Sequence, residues 1–513
     1  MGLFLVVPIA ISGLYSFARR GTYGGVLFEY QWGNYLRAFD PLYLRVLWNS
    51  VELSVLTTVS CFLLGYPLAY WCATASLRLR PWILLGVVIP FWTNFVVRAY
   101  AIKVLLGMLP ESWSLLNSPF AVWLGMVTNY LPFMVLPIFV ALEKFDFSLI
   151  EAARDLGAPP RKVIIRILLP LTLAGSVTGA IFVFTPALGE FVIPDLLGGA
   201  RTILMGNLIT DQFLKTRDWP FGSSLAVLLI LTVVGSLVLY LRQGSGSRDF
   251  RMASLGSRPA APRGVAVVGS FALLLLHVPL GVLVIQSFMT PEGWGMEWYR
   301  RAFNNPQILS ALKNSLITGT ATLILAGGLG TSAAFAIVRG YFPGRKLFQA
   351  AVTVPLIMPE IVLGLSLLIW FVRLGVELGL VTVIIAHVTF SVSYVILTVQ
   401  SRLEDFDVAL EEAAADLGAG RWQVFRRVTL PLIWPAVYSG SLMAFTLSFD
   451  DFLITFFNSG VGSDTLPLKI YSMVKFGVSR EINAVSALLL VLTVLVATTL
   501  RRASPGSRDR TGP

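Results

Sequence analysis

The chain has 513 residues, 56% of them apolar and only 13% charged, with a formal net charge of +11. That composition excludes an ordinary soluble globular protein. The excess of basic residues would suit nucleic acid, but Lys and Arg fall in short stretches between long apolar runs, so no nucleic-acid partner is expected.

Twelve apolar runs are predicted: 3–17, 48–72, 82–106, 121–142, 168–188, 223–241, 264–287, 314–338, 347–372, 378–400, 428–449 and 482–500. About 20 apolar residues in a helix cross the ~30 Å of bilayer hydrocarbon. An all-α integral membrane protein with a lipid bilayer around it follows. Most of the 39 Lys and Arg lie after the even-numbered runs. The positive-inside rule then puts those loops and the C-terminus in the cytoplasm.

In chain order, Leu3–Phe17 is short for a span. It has no basic leader and no small-residue cleavage site, so it reads as a truncated or tilted first helix and not a signal peptide. An outer loop follows, and Asn49-Ser50 is expected to supply N-cap oxygens to the second span. Cys61 and Cys72 share one apolar run and read as small core residues. The third span carries Pro90, Trp92, Arg98 and Lys103.

The stretch Leu142–Pro170, LEKFDFSLIEAARDLGAPPRKVIIRILLP, is the most informative. Phe145, Leu149, Ile150, Ala153 and Leu156 fall at helical spacing, which predicts a short amphipathic helix. Gly157 permits the left-handed conformation that stops a helix. A basic helix with Arg161, Lys162 and Arg166 comes next, and Pro170 opens the fifth span. The fifth span ends near Glu190, in an outer segment that also holds Asp195. A Gly-, Ser-, Pro- and Arg-rich linker is expected at 243–263.

The second half repeats this plan. Leu403–Pro431, LEDFDVALEEAAADLGAGRWQVFRRVTLP, matches Leu142–Pro170 without a gap, 261 residues later. Asn314-Ser315 matches Asn49-Ser50, Pro355 matches Pro90, and Asp451 matches Glu190. The second third span adds Pro359 and Glu360, and Asp450 precedes Asp451. A carboxylate at the centre of a spanning helix costs about 2.5–3.5 kcal/mol, so Glu360 is expected to face a polar cavity. His277 and His387 each stand alone in an apolar run and read as packed or locally hydrogen-bonded. A duplicated unit explains a long self-match at fixed offset. The expected division is a short first helix and outer loop at 1–44, a transmembrane domain at 45–242, the linker at 243–263, a lead helix and outer loop at 264–307, a second transmembrane domain at 308–502, and a disordered tail at 503–513.

The pattern Glu151-Ala152-Ala153, Gly157, Ile167-x-Leu169-Pro170 resembles the cytoplasmic signature of bacterial ABC importer permeases. Its copy has Glu412-Ala413-Ala414, Gly418 and Leu430-Pro431, with Val428 in place of Ile. Further strings, among them PFWTNFVVRAYA, FVIPDLLGG, MPEIVLGLSLL and SFDDFLITFF, resemble the two permease subunits of spermidine/putrescine importers, one in each half. The resemblance implies a type I importer permease fold, two homologous six-helix halves fused in one chain. It implies that Glu151, Ala152, Ala153, Asp155 and Gly157, and Glu412, Ala413, Ala414, Asp416 and Gly418, form coupling elbows. Each elbow would dock one of two copies of a separate ATPase subunit on the cytoplasmic side, and an extracytoplasmic binding protein would deliver substrate. Glu151 and Glu412 would cap or ion-pair within the docked elbow.

A flexible polycation needs carboxylates and aromatic faces along its path. Trp92, Glu190, Asp195, Glu360, Asp450 and Asp451 are the candidates; for each acid the competing role is a helix cap or an ion pair with Arg98 or Lys103. Ferric iron, thiamine or phosphonate are alternative substrates, and a secondary transporter is an alternative class. No P-loop, nucleophile elbow or metal-ligand cluster is seen, so the chain is expected to be a transport component and not an enzyme, with no cofactor.

Overall fold

The computed structural model describes residues 2–22, 25–199, 202–243, 261–477 and 480–503. Most of the expected linker and nearly all of the expected tail lie outside these. Among the described residues, seven helices are long and apolar enough to span a membrane. Three bent helix pairs and two shorter apolar helices, Phe4–Tyr15 and Glu481–Leu492, account for the other five expected runs.

The bends have local causes. The third span breaks between Arg80–Trp92 and Phe95–Gly107, turning by 96°. Pro90 sits in the last turn before the break, and Asn94 restarts the helix, its Oδ1 accepting from the Val96 and Val97 N–H groups at 3.0 and 3.3 Å. The matching span breaks between Arg345–Ile357 and Glu360–Arg373, by 112°. Here Pro359 holds the N-cap position and Glu360 opens the new helix. Glu360 is therefore not buried in a helix centre. It occupies a helix N-terminus, where the macrodipole favours a carboxylate by about 0.3–1 kcal/mol.

One expectation at the start of the second spans is corrected. The helix Pro41–Thr74 begins well before Asn49, capped by Asp40, and Pro306–Arg339 begins well before Asn314, capped by Asn305. Pro at the first helical position, behind an Asp or Asn side-chain acceptor, is the stronger start signal. Ser50 and Ser315 lie inside these helices and cap others: Ser50 Oγ accepts from the Met205 N–H at 2.7 Å, and Ser315 Oγ from the Leu466 N–H at 2.8 Å.

The chain divides into two compact units that do not follow the sequence repeat. One holds residues 1–19, 26–31 and 305–471. Its centre is the packing of Pro306–Arg339, Leu380–Glu404 and Leu430–Asp450 on one another. The first helix belongs here, because Leu5 is buried with Leu363, Leu367 and Phe371 of Glu360–Arg373. The other unit holds 20–25, 32–304 and 472–513. Its centre is the equivalent trio, Pro41–Thr74, Pro119–Glu143 and Leu173–Leu188. The lead helix of the second half, Arg263–Ser287, packs on Pro41–Thr74 and Phe95–Gly107, and the last helix, Glu481–Ala503, packs on that lead helix. Small residues allow close approach in lipid: a Cβ on Gly65 would meet Met134 at 3.1 Å, and one on the equivalent Gly330 would meet Val395 at 2.6 Å.

Candidate functional site

Both copies of the duplicated stretch fold into the same elbow. The helices Ser148–Asp155 and Ala409–Asp416 are capped by Asp146 and Asp407, whose Oδ1 atoms accept the Ser148 and Ala409 N–H groups at 3.0 Å. Each helix stops in a Schellman turn. The Ala158 N–H reaches the Ala153 carbonyl at 3.0 Å and the Gly157 N–H the Arg154 carbonyl at 2.8 Å; Ala419 reaches Ala414 at 3.1 Å and Gly418 reaches Ala415 at 2.9 Å. The glycines take φ of 75° and 85°, as the expected helix stop requires.

After the glycine, each copy runs through a short helix into a five-residue π-helical turn, Ile164–Leu168 and Phe425–Thr429, directly before Leu-Pro. Pro170 and Pro431 lack an N–H and their rings crowd the carbonyl four residues back. A widened turn relieves that contact. In the first copy the chain bends again by 70° at Thr172, whose hydroxyl lies 2.8 Å from that of Tyr66. The second copy has Ile433 there, packed in the core, and runs as one helical span, Arg421–Asp450.

The surface presented is also the same. Glu151, Ala152, Asp155 and Gly157 are exposed and Ala153 is half-buried; Glu412, Ala413, Asp416 and Gly418 are exposed and Ala414 is half-buried. Neither Glu151 nor Glu412 makes an ion pair or side-chain hydrogen bond among the described residues. Leu156, assigned by spacing to the buried stripe, is 88% exposed, and its copy Leu417 is 90% exposed. The helix has already ended at this residue, so the 3.6-residue period no longer sets its direction. An exposed leucine therefore stands beside the stop glycine in both copies, a placement that periodicity concealed.

The residues of the second candidate set divide between the units. Trp92, Glu190 and Asp195 lie in one, and Glu360, Asp450 and Asp451 in the other. Glu190 is buried. Its Oε1 accepts from the Val192 and Ile193 N–H groups at 2.8 and 3.2 Å, and its Oε2 from the Tyr130 hydroxyl. Asp451 accepts from the Thr455 N–H at 2.8 Å and the Thr455 hydroxyl at 3.0 Å, and lies 3.0 Å from His387 Nε2. Glu190 and Asp451 thus play the same part in each half: both turn the chain at the end of the fifth span. His387 Nδ1 also meets Ser448 Oγ at 2.7 Å, so this histidine is locally hydrogen-bonded, as is His277 through the Leu273 carbonyl at 2.8 Å. Asp195 sits 2.9 Å from Lys475 Nζ. Trp92, Glu360 and Asp450 are half-buried at helix ends.

The duplicated elbow between membrane spans is the observation that decides the family. The model of the binding-protein-dependent transport system inner membrane component matches residues 54–251 and again 326–504. The chain belongs to this family. It is two permease domains of the ABC importer class fused in one multi-pass membrane chain, and a transport component. Among curated relatives, the spermidine/putrescine transport system permease protein PotB of Haemophilus influenzae is 41% identical over 251 residues, covering 46% of this chain and 87% of that protein. PotB of Escherichia coli K12 is 39% identical over 254 residues, covering 47% and 92%. PotC of the same strain, also a spermidine/putrescine permease protein, is 39% identical over 227 residues, covering 43% and 86%.

Proposed function

We propose that this chain is the complete translocation pair of an ATP-driven polyamine importer. The observation that carries the reading is the elbow itself: two copies with the same cap, the same left-handed stop and the same exposed residues. A surface kept in duplicate suits two copies of one partner, here a separate ATPase subunit on each elbow. The basic loops flanking the elbows support a cytoplasmic setting for both. An extracytoplasmic binding protein would deliver substrate at the opposite face.

The substrate class rests on the two kinds of spermidine/putrescine relative. A polyamine must exchange its water shell for carboxylates and aromatic faces, the role proposed for Glu360. ATP binding and hydrolysis in the partner would bias a two-state bundle through both elbows, and the binding protein would bias it from the other side.

The test is reconstitution in lipid with the cognate ATPase and binding protein, followed by challenge with spermidine, putrescine, ferric ion, thiamine and an aminophosphonate. Stimulation of ATPase activity by the polyamines alone is the expected result. Stimulation by another solute would keep the coupling role and replace the substrate. Absence of any stimulation, with no ATPase co-purifying, would overturn the importer reading.

A further inference from the structure

The two elbows share a surface but are fastened to their own units by different chemistry. In the first copy the elbow helix turns Ile150 inward, 2% exposed, and Leu168 of the π-helical turn is buried as well. The Pro41–Thr74 helix ends there in Thr74, whose hydroxyl stays on its own helix, 2.8 Å from the Tyr70 carbonyl. In the second copy the three equivalent positions hold Glu411, Thr429 and Arg339. Arg339 Nη1 lies 3.0 Å from Glu411 Oε2, and the Thr429 hydroxyl donates to Glu411 Oε1 at 2.6 Å. The Arg339 guanidinium also lies over the Phe406 ring, 5.5 Å from its centroid. The two charged side chains are 30% and 22% exposed, so water screens them only in part.

The unit that holds the first elbow has an ion pair too, but it leaves the elbow alone. Arg80, at the start of the third span, pairs with Glu143 at the end of the fourth. The matching Glu404 accepts instead from Gln400, its neighbour one turn back, at 2.8 Å.

We infer that Arg339 and Glu411 form a charged strut that ties the second elbow to the end of the Pro306–Arg339 helix, the part that buried apolar side chains play for the first elbow. Both oxygens of Glu411 are held, one by the guanidinium and one by the hydroxyl, so the carboxylate has a fixed orientation. A displacement of the elbow is then passed to a 34-residue helix at the centre of its unit. The first elbow has two buried apolar side chains at the same place, and burial is non-directional. Arg339 and Glu411 are positioning residues. The inference rests on the elbows being the docking points for the ATPase.

The experiment uses the full chain reconstituted with its ATPase and binding protein. It compares Arg339→Ala, Glu411→Gln, the exchange Arg339→Glu with Glu411→Arg, and the graft Arg339→Thr, Glu411→Ile, Thr429→Leu, which copies the first elbow's residues. Three quantities are read: ATPase captured, ATP hydrolysed and substrate moved per ATP. The single variants should capture ATPase in normal yield while substrate moved per ATP falls at least fivefold. The exchange and the graft should each recover to within about twofold of the unaltered chain. Unchanged coupling in both single variants overturns the strut, as does an equal loss of ATPase capture and coupling. If the single variants fail to accumulate, the exchange decides: normal yield with no recovery of coupling overturns the strut. Failure of the docking reading is seen separately, because the unaltered chain then captures no ATPase, and both readings fall together.

Discussion

Ser50 Oγ accepts the backbone N–H of Met205 at 2.7 Å, across 155 residues of chain. The repeat makes the same bond between Ser315 and Leu466, at 2.8 Å. A serine inside one helix thus satisfies the first free amide of another, Met205–Leu214 in one half and Leu466–Phe476 in the other. Because both bonds are buried, the serines fix where each of those helices starts.

Replacing either serine leaves a buried N–H without its partner, at a cost of about 1–3 kcal/mol. Ser50→Ala should speed hydrogen exchange at Met205, and Ser315→Ala at Leu466, with little change in distant helices. Unaltered protection at those amides would show that the bonds do not hold the two helices.

Gly157 and Gly418 have open space where a Cβ would go, so crowding does not forbid a side chain there. The cost of substitution is conformational: an L-residue in the left-handed region pays about 1–2 kcal/mol. Gly157→Val and Gly418→Val should each leave the chain in the membrane, yet lower substrate transport per ATP hydrolysed. Normal ATPase co-purification together with normal stimulated transport would contradict this.

His387 joins Ser448, Thr455 and Asp451 in a buried polar network within one unit. A partner left unpaired at such a site costs about 1–3 kcal/mol. His387→Leu should therefore lower the thermal unfolding temperature in lipid nanodiscs, and His387→Gln should lower it less, because it retains a donor. Equal stability of the two variants would mean that hydrogen bonding does not set the role of this residue.

Glu360 opens the second segment of the broken span 345–373 and is half-buried there. Glu360→Gln should abolish uptake while binding-protein docking stays normal. Unchanged uptake would remove Glu360 from the path and leave the macrodipole as the account of its position.

Much of the elbow was legible before the structure. Periodicity marked its helix, Gly157 and Gly418 marked its stop, and the 261-residue offset marked its copy. Leu156 escaped because a helical period stops applying where the helix stops. Ser50 and Ser315 escaped for a related reason: Asn-Ser before an apolar run looks like a local cap, and only the folded chain reveals that the capped amide is 155 or 151 residues away.

By itself the sequence determined the apolar spans, the duplication, the polar elbows and the family, because span length, helix stops and repeat register are local properties of the chain. Tertiary structure decided what those elements hold on to. It placed the first helix against Leu363 and Phe371. It also brought Arg339 to Glu411. Each of these depends on which surfaces meet across long stretches of chain, and no spacing rule within a single helix specifies that.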